Sequence, residues 1–125
     1  MMAAEHRNEV ILVGRLARDP SAKELPSGDV VTSWRLVVDR PSRAAGAETD
    51  DRPQRRNPPD ALECVTFQRE LAGSVATYGM GDILEVRGSV RRRFWRTSSG
   101  GVASRYEVET TEVRRLRAAE REPAP

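Results

Sequence analysis

The most regular alternation of apolar and polar residues lies in residues 83–106 (ILEVRGSVRRRFWRTSSGGVASRY). Such a period of two predicts a strand with one face in a core. The apolar side carries Leu84, Val86 and Val90. The other side carries a row of arginines that ends at Trp95. Residues 97–101 (TSSGG) predict the turn of a hairpin whose second strand begins near Ser104.

The polar side of this strand has two interpretations. Guanidinium groups pair with phosphates and an exposed indole stacks on an unpaired base, so arginines beside Trp95 suit a flexible polyanion. The alternative is a solvated arginine strand with Trp95 packed under a neighbouring loop, because charge runs are usually solvated faces. The alternation by itself leaves both interpretations open.

Two strands are predicted ahead of this hairpin. Residues 9–16 (EVILVGRL) are rich in β-branched residues, and Gly14 within them indicates a bulge or a sharp bend of the kind that curls a small barrel closed. Residues 18–29 are polar with turn residues and predict a hairpin connection. Residues 30–39 (VVTSWRLVVD) alternate, which places Trp34 with the apolar residues of its strand and favours a core role over a stacking role.

The remaining elements complete the order strand, strand, strand, helix, strand, strand. Residues 61–67 predict a third strand, residues 70–78 a short helix and residues 104–113 the last strand. Cys64 in the third strand is interpreted as a small buried residue rather than a nucleophile, because His6 is the only histidine that could activate it.

Three segments are predicted to be flexible. These are the N-terminus 1–7, the loop 40–60 and the short disordered tail 117–125. The loop contains four prolines and mixed charge, so it buries too little apolar surface to order itself. Its arginines, among them Arg40, could close over an anionic ligand, and a floppy insertion with compensating acids is the alternative.

Composition limits the function further. The 125 residues suit one domain, the net charge is +2, and Lys23 is the only lysine beside many arginines, which favours a polyanionic partner. Single cysteine and histidine residues argue against a disulfide framework, a metal site and histidine-based catalysis. Apolar runs are far shorter than the ~20 residues of a membrane span, and no signal peptide is indicated, so a cytoplasmic protein is expected.

Three motifs carry a family resemblance. NEVILVGRLARDP, PSGDVV and GDILEVRGSVRRRFW occur in this order. Together they resemble the bacterial single-stranded DNA-binding protein family, whose members typically contain N-x-V-x-L-x-G-x-L-x-x-D-P, P-x-G and G-x-x-V-x-V-x-G-x-L-x-x-R-x-W. The resemblance implies an all-β OB-fold over residues 8–116, a five-stranded Greek-key barrel with a small helix between strands three and four. It also implies a homotetramer in which first strands pair across subunits.

The resemblance further implies a set of DNA-binding residues. Family positions for stacking aromatics fall on Trp95 and Phe67, and a contacting tyrosine falls on Tyr78, which equally suits the core. Family positions for basic side chains fall on Arg91, Arg93, Arg69 and Lys23. To the phosphate contacts we add Arg35, Arg96 and Arg40. No catalytic residue, cofactor or metal is expected.

The chain departs from the family pattern in two ways. Two further stacking tryptophans are replaced by Arg40-Pro41 and Ala61, so we expect weaker binding per nucleotide, although arginine planes can partly substitute. The chain ends REPAP instead of an acidic, Phe-terminated tip, so the resemblance does not extend to recruitment of repair proteins through that tip. This departure favours a short paralogue over a housekeeping protein.

The predicted function is sequence-independent binding of single-stranded DNA. Through this binding, the protein protects or organises the DNA during replication, recombination or repair in the nucleoid. The alternative is an OB-fold interaction module, a replication-restart or assembly factor that binds proteins and touches DNA weakly. An enzyme such as a nuclease would need a cluster of carboxylates or metal ligands. Asp50-Asp51 lie in the predicted loop, and no further residue of such a cluster is predicted beside them.

Overall fold

The computed structural model describes residues 5–41 and 58–120. Most of the predicted loop 40–60, and parts of the predicted flexible N-terminus and tail, lie outside the described residues. The elements are β1 Val10–Leu16, β2 Ser21–Glu24, β3 Val30–Val38, β4 Asp60–Thr66, α1 Arg69–Val75, β5 Ile83–Arg96 and β6 Val102–Arg117. The predicted element order is therefore confirmed, with one strand added.

The added strand is β2. The polar sequence before β3 predicted only a hairpin connection, but Ser21–Glu24 pairs antiparallel with Val30–Ser33 of β3. All four residues of β2 are exposed. No apolar alternation could therefore mark this strand, which forms through backbone hydrogen bonds to the edge of β3.

The strands close into a ring. The hydrogen-bonded order is β1-β5-β6-β4-β3-β2, and β1 additionally pairs with β3. β4 and β6 are parallel, whereas the other pairs are antiparallel. The ring β1-β3-β4-β6-β5 is the five-stranded Greek-key barrel of the OB-fold. The predicted fold class is confirmed.

Gly14 lies where the ring closes. Its neighbours Val10–Arg15 pair with β5, while Arg15 and Leu16 pair with β3. A Cβ atom at Gly14 would collide with the backbone carbonyl of Val37. The bend predicted at this glycine thus permits the close approach of β1 to β3.

The core fills the barrel and extends under the helix. Its buried members are Leu16, Trp34, Leu36, Cys64, Leu71, Val75, Leu84, Val86 and Val108. Trp34 is fully buried, as predicted, and its indole Nε1 has no hydrogen-bond partner among the described residues. Burial raises the pKa of the Cys64 thiol to about 12, with a further contribution from Glu63, so the thiol stays protonated at neutral pH. These facts support the structural interpretation of Cys64.

The helix is shorter than predicted. It ends at Val75, with Leu71 and Val75 buried against the core. Tyr78 follows in a turn, packs partly buried against the same core, and lies under the Arg115 guanidinium, 5.6 Å from the ring centroid. The helical spacing predicted correctly that Tyr78 lies on the same side as Leu71 and Val75, although the helix ends before Tyr78.

The β5–β6 hairpin is longer than the barrel. Beyond Gly88, β5 pairs only with β6, and β6 begins at Val102 rather than near Ser104. Val90 was predicted to share the core with Leu84 and Val86, but 38% of its surface is exposed. The prediction was wrong because β1 pairs with β5 only as far as Gly88, so Val90 lies past the end of the barrel while its partner Val108 on β6 is still in the core. We call residues 89–108 the hairpin arm.

We predict that Trp34→Ala lowers the free energy of unfolding by ~3–5 kcal/mol, the typical cost of emptying a large core site. The reason is the complete burial of this side chain within the core cluster. Urea denaturation followed by circular dichroism measures the change. Trp95→Ala is the control, because 42% of Trp95 is exposed and its removal should leave the midpoint nearly unchanged. An unchanged midpoint for Trp34→Ala would contradict the core assignment.

Asp82 generates a second stability prediction. Its buried carboxylate accepts backbone hydrogen bonds from Gly79 at 2.9 Å and Ala119 at 2.8 Å, and Arg115 lies 3.5 Å away. The Gly79 hydrogen bond, followed by that of Ala119, lowers the pKa of Asp82. A lowered folded-state pKa contributes stability above the unfolded value of about 3.9, and this stability is lost as the pH falls through the folded-state value.

Asp82→Asn should therefore destabilise the fold by ~1–3 kcal/mol at pH 7. The NH2 group of the asparagine side chain would face a backbone N–H, and neither group can accept the other's hydrogen bond. The difference from the unmodified protein should shrink as the pH falls below about 4. Urea midpoints measured from pH 3 to pH 7 provide the comparison. Asp39→Asn is the control, since the Asp39 side chain is 79% exposed and pairs only at 3.6 Å with Arg15. A pH-independent difference for Asp82→Asn would refute the role of the charge.

Candidate nucleic-acid interface

The first part of the candidate site is one face of the hairpin arm. In β5 and β6, Arg91 pairs with Glu107, Arg93 with Arg105 and Trp95 with Ala103. Directly paired residues lie on the same face of a sheet. We call the face formed by Arg91, Arg93, Trp95, Arg105, Glu107 and Glu109 the outer face, because Leu84 and Val86 place the opposite side of β5 toward the core.

Carboxylates hold the arginines of the outer face. Arg91 Nε lies 3.3 Å from Glu109 Oε1, and Arg93 Nη1 lies 3.7 Å from Glu107 Oε1. Arg105 Nε lies 3.5 Å from Glu107 Oε2. The Glu107 side chain is only 6% exposed, whereas the three arginine side chains are between 37% and 62% exposed. Each guanidinium is thus anchored from below while part of it faces solvent.

Trp95 lies at the far end of this face and is 42% exposed. The guanidinium of Arg105 lies over its ring, 5.7 Å from the centroid. This cation–π contact orients the indole. The exposed indole is not packed under a loop, and its role as a stacking platform stays a prediction.

The outer face continues across β4 and β3. Glu109 pairs with Val65, and Val65 pairs with Ser33, so these residues form one row on the side of the sheet opposite Trp34 and Cys64, in which Val65 itself is only 2% exposed. Two positions along β3, Arg35 pairs with Glu63 and their side chains lie 3.9 Å apart. Arg18 reaches the other oxygen of Glu63 at 3.5 Å. The structure thus brings Arg35 to the same surface as the arm arginines.

Other predicted site residues lie apart from this row. Lys23 is exposed on β2 and pairs with Val31. Phe67 directly follows β4 and is 48% exposed, and Arg69 is exposed at the first position of α1. In Arg40, Nε and Nη2 both donate to Asp60 Oδ1, at 3.0 and 2.9 Å. Arg40 is therefore neutralised at the start of β4.

Arg96 lies apart from the other arginines that were predicted to contact phosphates. It pairs with Val102, which places it on the face of the arm opposite Arg91, Arg93 and Trp95. Tyr78 was predicted either to contact DNA or to belong to the core, and it packs against the core cluster. Contacts of either residue with DNA stay predictions.

Sequence reasoning missed several residues of this surface. Arg18 joins it through the carboxylate of Glu63, and Arg105 joins it by pairing with Arg93 across the hairpin and by its contact with Glu107. These contacts depend on strand register and on the folded barrel. The tyrosine–arginine pair RY at 105–106, within a predicted strand opposite an arginine row, was the available signal.

Within residues 5–41 and 58–120, no three His, Cys, Asp or Glu side chains are grouped so that they could hold a metal ion. No helix in these ranges has the length and hydrophobicity needed to cross a membrane.

Comparisons with known proteins agree with this architecture. The solved structure of a Plasmodium falciparum SSB complex with ssDNA superimposes with a TM-score of 0.71 at 22% identity and covers 92% of this chain and 99% of that chain. At that identity, the likeness supports the fold.

Curated relatives give closer sequence matches. The single-stranded DNA-binding protein of Thermotoga maritima is 36% identical over 94% of this chain and 77% of its own length. That of Halalkalibacterium halodurans is 32% identical over 74% of this chain, and Bacillus subtilis single-stranded DNA-binding protein A is 28% identical over 87% of this chain. The match covers only 51% and 59% of these last two proteins. The model of the Single-strand binding protein family matches residues 7–116. The chain belongs to that family.

Proposed function

We propose that the protein binds single-stranded DNA without sequence preference, by stacking bases on aromatic rings and pairing phosphates with arginines. The observation that carries this proposal is the outer face of the hairpin arm, where an exposed Trp95 lies beside Arg91, Arg93 and Arg105. The names of the relatives support the same function. Because every base has a π-face, stacking of this kind tolerates any sequence, and it requires bases that are free of a duplex.

In this proposal the residues have distinct roles. Trp95 stacks a base, and Arg105 holds the indole in place. Arg91, Arg93 and Arg35 each exchange a carboxylate partner for a phosphate, or share both, since a guanidinium has five N–H donors. Further contacts are proposed for Phe67, Arg69, Lys23, Arg96, Tyr78 and Arg40.

The surface charge favours a polyanion despite the acids within it. Arg18, Arg35, Arg91, Arg93 and Arg105 are balanced there by only Glu63, Glu107 and Glu109. The acids separate the arginines and fix their positions, which lowers the conformational entropy lost on binding. The surplus of positive charge remains available to phosphates.

The proposed cellular role is protection or organisation of exposed single strands during replication, recombination or repair, in the nucleoid of the cytoplasm. We propose a binding protein that performs no catalysis and needs no cofactor.

A homo-oligomer, a homotetramer by family resemblance, forms part of the proposal. β1 pairs with β5 from Val10 to Arg15, but with β3 only at Arg15 and Leu16. The other edge of β1 before Arg15 is therefore unpaired among the described residues. Ile11 is 58% exposed and Val13 is 46% exposed. An unpaired edge beside exposed apolar side chains favours pairing of first strands between subunits.

The second candidate is an OB-fold interaction module that touches DNA weakly. The observation in its favour is that the two missing stacking positions hold Arg40 and Ala61, and that Arg40 is bound to Asp60. Fewer platforms reduce affinity per nucleotide. The next experiment separates the two candidates.

We predict that Trp95→Ala weakens binding of oligo(dT) by ~1–3 kcal/mol, the range measured for base–aromatic stacking in proteins of this kind. The melting temperature should stay nearly constant, because Trp95 is 42% exposed. Fluorescence anisotropy of a labelled oligonucleotide measures the affinity, and Trp95→Phe, which keeps a ring, should recover most of it. If Trp95→Ala unfolds the protein while the folded fraction binds normally, the interaction module becomes the better proposal.

We predict a steep salt dependence of binding. Each neutralised phosphate of a single strand contributes a slope of about −0.7 to log K against log salt. Arg91→Ala should make the slope shallower by about that amount, because it removes one proposed phosphate contact. Arg114→Ala is the control, because Arg114 lies outside the arm. Its Nε atom is 3.2 Å from Glu85 Oε1. Affinity that does not change between low and moderate salt would refute the arginine–phosphate contacts.

A further inference from the structure

The hairpin arm has a second exposed face. Arg92 pairs with Tyr106, Phe94 with Ser104 and Arg96 with Val102, so these residues lie opposite Trp95 on the other side of the arm. We call this the reverse face. Phe94, Tyr106 and Val102 are 60%, 64% and 66% exposed. Large contiguous patches of exposed apolar surface on a protein mark interaction sites.

The centre of the reverse face is a guanidinium held beside two rings. Arg92 lies 5.0 Å from the Phe94 centroid and 5.4 Å from the Tyr106 centroid. Arg92 also donates two hydrogen bonds to the hydroxyl of Ser104, from Nε at 3.3 Å and from Nη2 at 3.1 Å. Arg92 Nη1 has no hydrogen-bond partner among the described residues. The arrangement therefore holds two aromatic rings and a cationic donor together.

The charge of the reverse face indicates which class of partner it binds. Its paired positions carry Arg92 and Arg96 and no acidic residue, whereas the outer face includes Glu107 and Glu109. A partner protein with an apolar surface would satisfy the rings but leave these arginines without anions. A single-stranded nucleic acid supplies flat bases and phosphates together.

We propose that the reverse face is a second contact surface for single-stranded nucleic acid, on which Phe94 and Tyr106 stack bases and Arg92 and Arg96 meet phosphates. The arm is a two-stranded ribbon, and Trp95 lies near its tip. A nucleic-acid strand that passes Trp95 needs only to turn around the edge of the ribbon to reach the reverse face. Each arm then contacts the strand on both sides. This inference rests on the proposed function.

Photocross-linking tests the inference. Oligo(dT) that contains 5-iododeoxyuridine cross-links to aromatic side chains stacked on the base. Trypsin separates Tyr106, the only aromatic residue of peptide 106–114, from Phe94 and Trp95 in peptide 94–96. We expect cross-links in both peptides, and fragment spectra should place those in the shorter peptide on Phe94 as well as Trp95. In Trp95→Ala, the cross-link in peptide 106–114 should persist.

Affinity measurements accompany the cross-links. Tyr106→Ala should weaken binding of long oligo(dT) by at least about fivefold, the lower end of the effect of one stacked base. Tyr106→Phe keeps the ring and should bind normally. Met80→Ala is the matched control, because Met80 is a 57% exposed apolar residue outside the arm. Thermal melting should be unchanged in all three variants.

Several results would overturn the inference. Cross-links confined to Trp95, with normal affinity in Tyr106→Ala, would leave the proposed function intact and show the reverse face to be bare. A lower mass in solution for Tyr106→Ala, with unchanged affinity per subunit, would assign the reverse face to a second copy of the chain. An absence of both binding and cross-links in the unmodified protein would instead refute the proposed function itself.

Discussion

Closure of the sheet by β1 fixes the positions of the other strands of the barrel. Beyond its strand pairs, Leu16 donates its backbone N–H to Asp82 O at 2.9 Å and accepts from Gly81 N at 2.8 Å, and Ala17 donates to Arg35 O at 2.9 Å. The end of one short strand thus joins β3 to the turn that begins β5. Gly14 permits this approach because any side chain there would meet the carbonyl of Val37. Once the ring is closed, β5 and β6 can only continue past it as a separate ribbon.

That ribbon separates binding from stability. Apart from the buried Glu107 and Val108, where β6 enters the barrel, its side chains have no opposite layer to pack against. Their removal therefore empties no cavity, unlike the removal of Trp34. The Arg91–Glu109 pair on it is exposed at both ends, and such pairs contribute only ~0–1 kcal/mol to folding. Arg91 can therefore be directed at a phosphate with little consequence for the fold. The two tryptophans represent this division, one fully buried and the other 42% exposed.

The acids of the outer face give the arginines a defined position. Glu107 is shared by Arg93 and Arg105, and Glu63 is shared by Arg18 and Arg35. Sharing leaves each arginine with donors to spare and keeps a net positive surface. The reverse face has a different composition, with aromatic rings and Ser104 in place of carboxylates around Arg92. The arm thus presents two cationic surfaces of different chemistry.

Residue patterns along the chain predicted five of the six described strands, the helix and most of the core, because alternation and helical spacing are local properties of the chain. They predicted the burial of Trp34, the strand that carries Trp95 and the turn at residues 97–101, each of which the structure contains. The exposure of Val90 and the formation of strand β2 could not be predicted in this way, because both depend on contacts between distant parts of the chain. Alternation tells which side of a strand a residue occupies, but not whether another layer covers that side. The partners of Arg105 and Arg18 likewise depend on strand register and barrel closure, which bring together residues that are distant in the chain.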